Sequence, residues 1–165
     1  MLKSLVTRTR RNHALEHATL NLISRAHPNA QALGVSGPAG FTIYTSLTAE
    51  EIIPAAMEAL KRLKAGECDL RVHKNCGTNM VVTATLTTSA TLLGIKGKET
   101  LRKHLERLPH LILLNVIALL VAPPVAEWIQ AHVTTDPDVG ALEIASVFTD
   151  HQSGLQRIRV RTRQA

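Results

Sequence analysis

The sequence predicts an α+β membrane protein. Three observations carry that expectation: two long uncharged stretches in the second half, a polar motif inside an N-terminal helix, and a strand of strict alternation near the C-terminus. The expected layout is an N-terminal α/β region over 1–78, a two-helix hydrophobic hairpin over 79–128 and a C-terminal β-hairpin over 129–165, folding as one cooperative domain.

Residues 3–26 read as one helix, with Leu15, Leu22 and Ile23 as its apolar contacts, and "HPNA" ends it at His27–Pro28 because the residue before proline avoids the α region. "QALGVSGPAGFTIYTS" reads as a hairpin: "SGPAG" is a turn signal and "FTIYT" is β-prone. The next helix opens with a capping box, Thr48 with Glu51, and Gly66 closes it. Its expected buried stripe is Ile53, Met57 and Leu60, with Pro54 bending the first turns. "CDLRVH" reads as a short strand leading into "HKNCGTN".

The first uncharged stretch runs from Asn75 to Ile95 and the second from Leu111 to Ala126. The first is long enough to span a bilayer, although its threonines lower the hydropathy. In the second, Pro123 and Pro124 disturb the far end, and Trp128 is placed to anchor at an interface. Between them "KGKETLRKHLERLPH" reads as a basic amphipathic connector suited to headgroups. A hairpin of this kind gives a multi-pass membrane protein with both flanks on one side. Most lysines and arginines lie on those flanks, which favours the cytoplasm for the bulk of the chain. The alternative is two buried core helices of a soluble protein.

After the loop "TTDPDVG", "ALEIASVFT" and "LQRIRVRTR" read as two strands joined by "DHQSG". In the second, Ile158 and Val160 face one way and Arg157, Arg159, Arg161 and Arg163 the other. Such a face suits anionic lipid or nucleic acid, but a charge run is more often a solvated strand face. The formal charge is +6, yet only 2% of residues are aromatic, so base stacking has almost no platform, which argues against nucleic acid as a partner. Two cysteines, Cys68 and Cys76, are too few for a disulfide framework and point to a reduced compartment or a metal. The N-terminus lacks the apolar core and cleavage site of a secretory signal.

The chemistry sits in "NHALEHATLN" and "HKNCGTN". Positions i, i+3 and i+4 share a helix face, so His13, Glu16 and His17 are grouped. Two imidazoles four residues apart can grip one ion, and H-x-x-E-H is the inverted zinc-peptidase motif. Three polar residues satisfying one another is the competing reading. The later segment adds His73 and Cys76, whose close N/S spacing suits a borderline-soft ion such as zinc. Gly77 permits a turn that leaves backbone amides to point at the sulfur. Cys68 is a substitute ligand, disfavoured because "CDLRV" reads as strand.

"NHALEHATLN" followed by "HKNCGTNMVV" resembles a bacterial membrane-protein family, the YqhQ-like predicted metal-dependent enzymes, which share a His-x-x-Glu-His helix and a later His-x-x-Cys-Gly-Thr segment. Small bacterial membrane proteins carrying "RRNHALEHATLNLI", a "GPAGF" turn and "VHKNCGTN" in nearly this form are more similar still. The resemblance covers about residues 10–95 and implies metal-site candidates at His13, Glu16, His17, His73 and Cys76. Lys74 stands where that family usually has proline. The inverted zinc peptidases share only the helix motif and need a further carboxylate ligand, which the sequence does not place.

The expectation is therefore a membrane-associated zinc enzyme, a hydrolase. His13, His17, His73 and Cys76 are the candidate metal ligands and Glu16 the general base. Its partners would be the lipid bilayer and an amphiphilic or membrane-tethered substrate. The alternative is a non-catalytic, metal-clamped protein that acts as an assembly factor or a subunit among other membrane subunits.

Overall fold

The computed structural model describes residues 2–95, 105–152 and 154–164. Most of the expected basic connector, including Glu99, lies outside the described residues. Among the described residues the fold is α+β, with four α-helices and one four-stranded antiparallel sheet. By internal contacts the chain divides into two compact units, residues 1–73 with 130–165, and residues 74–129.

The larger unit is built around α1 (Leu2–Ala26). From Asn12 to Leu20 this helix is buried on nearly every side, because β1 (Ala32–Gly37), β2 (Gly40–Thr45), α2 (Ala49–Lys64) and a 3₁₀ turn (Cys68–Arg71) all pack on it. The capping box at the start of α2 is present, with the Thr48 N–H donating to the Glu51 carboxylate at 2.8 Å. The buried stripe of α2 differs from the sequence expectation. Ile52, Ala56, Ala59 and Leu63 face inward, while Met57 is 61% exposed. The small alanines let α2 lie close to α1, and close approach outweighs the size of Met57 in deciding which face is buried.

The 3₁₀ turn at Cys68–Arg71 replaces the expected strand. A strand needs a neighbouring ladder for its carbonyls. Here the carbonyls of Leu70, Arg71 and Val72 accept from side chains of α1 instead, so no ladder is required.

The two hairpins merge into one sheet of order β1-β2-β4-β3, where β3 is Leu142–Gln152 and β4 is Leu155–Gln164. Phe41 and Ile43 on β2 pair with Val160 and Ile158 on β4 and form the core with Leu15, Ile23 and the α2 stripe. The alternation read from the sequence holds: Ile158 and Val160 face the helices, and the arginines of β4 face away.

The smaller unit contains α3 (Gly77–Gly94) and α4 (Leu108–Ile129), which pack on each other in opposite directions. The Asn115 amide donates to the Thr91 hydroxyl at 3.0 Å, and Gly94 gives room to Leu111. Pro123 and Pro124 lie within α4 rather than ending it; six residues beyond Pro124 the helix widens into a π turn, Gln130–Thr134. Among the described residues one helix is long and apolar enough to cross a membrane, the continuous stretch Leu108–Thr134. That composition suggests membrane association. The threonine-rich α3 is not apolar enough, so a multi-pass, two-span hairpin is not supported.

Candidate metal centre

Three residues of α1 at successive four-residue steps, His13, His17 and Asn21, form one line along the helix, and each is fixed by backbone outside it. His13 Nδ1 donates to the carbonyl of Thr134 in the π turn at 3.0 Å. His17 Nδ1 donates to the carbonyl of Arg71 at 2.6 Å. A carbonyl only accepts, so each ring has a proton on Nδ1, and in the neutral ring the lone pair is then on Nε2, where a metal can take it.

Asn21 orients the third imidazole. Its Nδ2 donates to the carbonyls of Leu70 at 2.9 Å and Val72 at 2.8 Å, which leaves Oδ1 to accept from His73 Nδ1 at 2.8 Å. The His73 N–H donates to Gln130 Oε1 in the π turn at 2.9 Å. His73 is therefore held at both its backbone and its ring. Burial, and then the neighbouring His17, lower its pKa from 6.5 to about 4, so the ring is neutral at neutral pH.

The rings of His13 and His17 are 4.2 Å apart between centroids, and those of His17 and His73 are 5.8 Å apart. His17 is 1% exposed, and its Nε2 is buried with no hydrogen-bond partner among the described residues. Cys76, buried, is the N-cap of α3, and its sulfur accepts from the Thr78 N–H at 3.4 Å. Helix N-termini favour negative charge at such a position. Ligand atoms of His13, His17 and Cys76 lie within 4.8 Å of one another, so this cluster could hold a metal ion. His73 stands beside His17 and outside that group of three, and half-buried Cys68 starts the 3₁₀ turn, also outside it.

Glu16 takes a different direction. Its carboxylate accepts from the Ser36 hydroxyl of β1 and rests against Gly34, where even a methyl group would overlap it. Burial raises its pKa above the ordinary 4.5, opposed by the Ser36 hydrogen bond and the nearby His13.

A family model described as a domain of unknown function, DUF6391, matches residues 8–147. The chain belongs to the DUF6391 family. The matched span includes His13, Glu16, Asn21, His73, Cys76 and the π turn, and stops within β3. An uncharacterized protein of Picosynechococcus sp. is 30% identical over 135 residues, covering 76% of this DUF6391 chain and 65% of that protein. The chain thus spans just under two thirds of the length of this relative. No solved structure matches it.

Sequence reasoning reached the histidines, Glu16 and Cys76 but not Asn21, Ser36, Gly34 or Gln130. For Asn21 a signal existed, since it continues the four-residue step of His13 and His17. The others owe their roles to chain segments distant in sequence.

Proposed function

We propose that this chain is a membrane-associated, zinc-dependent enzyme of the hydrolase class. His13, His17 and Cys76 would hold the ion, His73 would stand by as a fourth ligand or as a hydrogen-bonding group, and Glu16 would move the proton. The observation that carries the proposal is the buried Nε2 of His17, which lacks a partner while its Nδ1 is committed to Arg71. Leaving a buried imidazole nitrogen unsatisfied costs about 1–3 kcal/mol, and a metal would remove that cost. Two imidazoles and a thiol are a donor set that suits zinc and leave one position of a tetrahedron for water or substrate. The likeness of both motifs to the YqhQ-like predicted metal-dependent enzymes points the same way.

When bound, such an ion supplies Lewis acidity towards a water or a carbonyl. The chain's own part is to fix both histidine tautomers through the Thr134 and Arg71 carbonyls, and to keep near the site a carboxyl whose proton affinity burial has raised. The apolar stretch Leu108–Thr134 would anchor the protein at a bilayer, with α3 alongside it, and an amphiphilic or membrane-tethered substrate would fit that setting.

Elemental analysis of detergent-extracted protein tests the proposal. The wild type is expected to carry about one equivalent of zinc, as a single tetrahedral site would. His17→Ala should lose it, while Glu16→Gln keeps it and loses hydrolysis of model ester and phosphoester substrates. Equal metal in wild type and His17→Ala would end the proposal.

A second reading, a metal clamp without catalysis in an assembly factor or complex subunit, is favoured by the engagement of Glu16 with Ser36 and Gly34. X-ray absorption of the loaded protein separates the two: four protein ligands for the clamp, three and an exchangeable oxygen for the enzyme.

A further inference from the structure

The four arginines on the outer face of β4 are not equivalent. Arg157 is held by both oxygens of Asp150, with Nε at 2.7 Å from Oδ1, and Arg163 is held by Glu143 at 3.0 Å. Arg159 and Arg161 are in no ion pair among the described residues, and Arg161 lies over the Phe148 ring, 5.6 Å from its centroid. These two line a cavity of about 380 Å³ whose other wall is Val35 and the turn between β1 and β2.

The turn keeps that space clear. Gly40 has φ 137°, and a side chain there would run into the Val160 carbonyl, whereas at Gly37 a methyl would meet nothing within 4 Å. On the same face of β1, Leu33 and Val35 are 59% and 56% exposed, which puts apolar surface beside two cations that are in no ion pair among the described residues. Residues two apart on a strand are about 7 Å apart, a spacing at which two guanidinium forks can share one phosphate.

We propose that this cavity binds the phosphate of an anionic phospholipid headgroup between Arg159 and Arg161, with the glycerol and upper acyl chain against Val35 and Leu33. Charge complementarity selects the phosphate, and the adjoining exposed apolar side chains select a lipid over a free anion. None of the candidate metal ligands lines this cavity, and its test reads out lipid binding without metal.

The test is a titration of the full chain in neutral detergent with phosphatidylglycerol, with phosphatidylcholine and with inorganic phosphate, followed through arginine Nε–Hε NMR signals. Phosphatidylglycerol is expected to give a saturable shift at Arg159 and Arg161. The apparent affinity should fall about tenfold in R159Q/R161Q, as expected for lost charged hydrogen bonds, and hold in R163Q. If the double variant does not fold, R161Q, altered at an exposed position, carries the same comparison. Three results would overturn the assignment: equal loss in R163Q, which means diffuse charge; equal response to phosphatidylcholine; or inorganic phosphate binding as tightly as the lipid.

Discussion

His17 donates its Nδ1 proton to the carbonyl of Arg71 across 2.6 Å, and its other ring nitrogen is buried without a partner among the described residues. The bond ties α1 to the 3₁₀ turn and sets the tautomer, so one contact serves the fold and prepares a ligand. A metal that binds the folded chain and not the unfolded one stabilises it, by about 2.7 kcal/mol at a hundred-fold excess over Kd. For a domain of this size each kcal/mol moves Tm by about 2–4 °C. Zinc should therefore raise Tm relative to chelated protein by about 5–10 °C in the wild type and leave His17→Ala unmoved. A scan in which both proteins respond alike to zinc would show that the ion binds elsewhere.

Asn21 closes three hydrogen bonds with one amide, to Leu70, Val72 and His73. Truncation leaves two carbonyls and an imidazole N–H to find other partners. Asn21→Ala should cost about 1–3 kcal/mol in chemical denaturation. Where His73 serves as the fourth ligand, losing the amide that orients it should also weaken zinc binding about 10–100-fold. Asn21→Asp preserves the acceptor for His73 and loses the donors to the carbonyls. It should recover more of the metal affinity than of the stability, and equal recovery of both would reduce Asn21 to a purely structural part.

What was legible in the sequence is what depends on near neighbours along the chain. The helix carrying His13, Glu16 and His17, the Thr48–Glu51 cap, the Gly37–Gly40 turn and the alternation of β4 all follow from local spacing. What was not legible depends on partners far away. Cys68–Arg71 has strand-like residues, yet Asn21 and His17 take its carbonyls from about fifty positions upstream. The buried stripe of α2 lies one residue from the line of large side chains, because Ala56 and Ala59 permit the contact with α1. The pairing of β2 with β4 joins segments more than a hundred residues apart, and no local signal encodes it. The direction of Glu16 rests on the absence of a side chain at Gly34, which only the packed structure reveals.

Gly34 and Glu16 form a lock of that kind. A methyl on Gly34 overlaps the carboxylate of Glu16, which Ser36, two residues along the same strand, holds in place. Gly34→Ala should destabilise the chain by about 1–3 kcal/mol, as overpacking does. Shortening the other partner makes room, so Gly34→Ala combined with Glu16→Ala should be less destabilised than the sum of the single changes, with a coupling of about 0.5–3 kcal/mol. Strict additivity in denaturation midpoints would mean that the two residues do not press on each other.

His73 and Glu16 give the metal-free chain opposing pH dependences. The folded pKa of His73 is about 4 against an ordinary 6.5, so between those values the unfolded chain binds the extra proton. Stability from His73 is fully present above pH 6.5 and is lost as pH falls towards 4. Glu16 has a folded pKa raised above 4.5 by burial, so the folded chain binds the extra proton just above that value, and stability from this group grows as pH falls. Glu51, Glu58 and Asp150 have lowered pKa values and lose their contributions only below the ordinary carboxylate range. In chelator, denaturation midpoints measured from pH 7 to pH 5 should fall less in His73→Gln than in the wild type, and more in Glu16→Gln. Identical slopes in wild type and His73→Gln would mean that His73 protonates in the folded chain as readily as in the unfolded one, which its burial and the neighbouring His17 oppose.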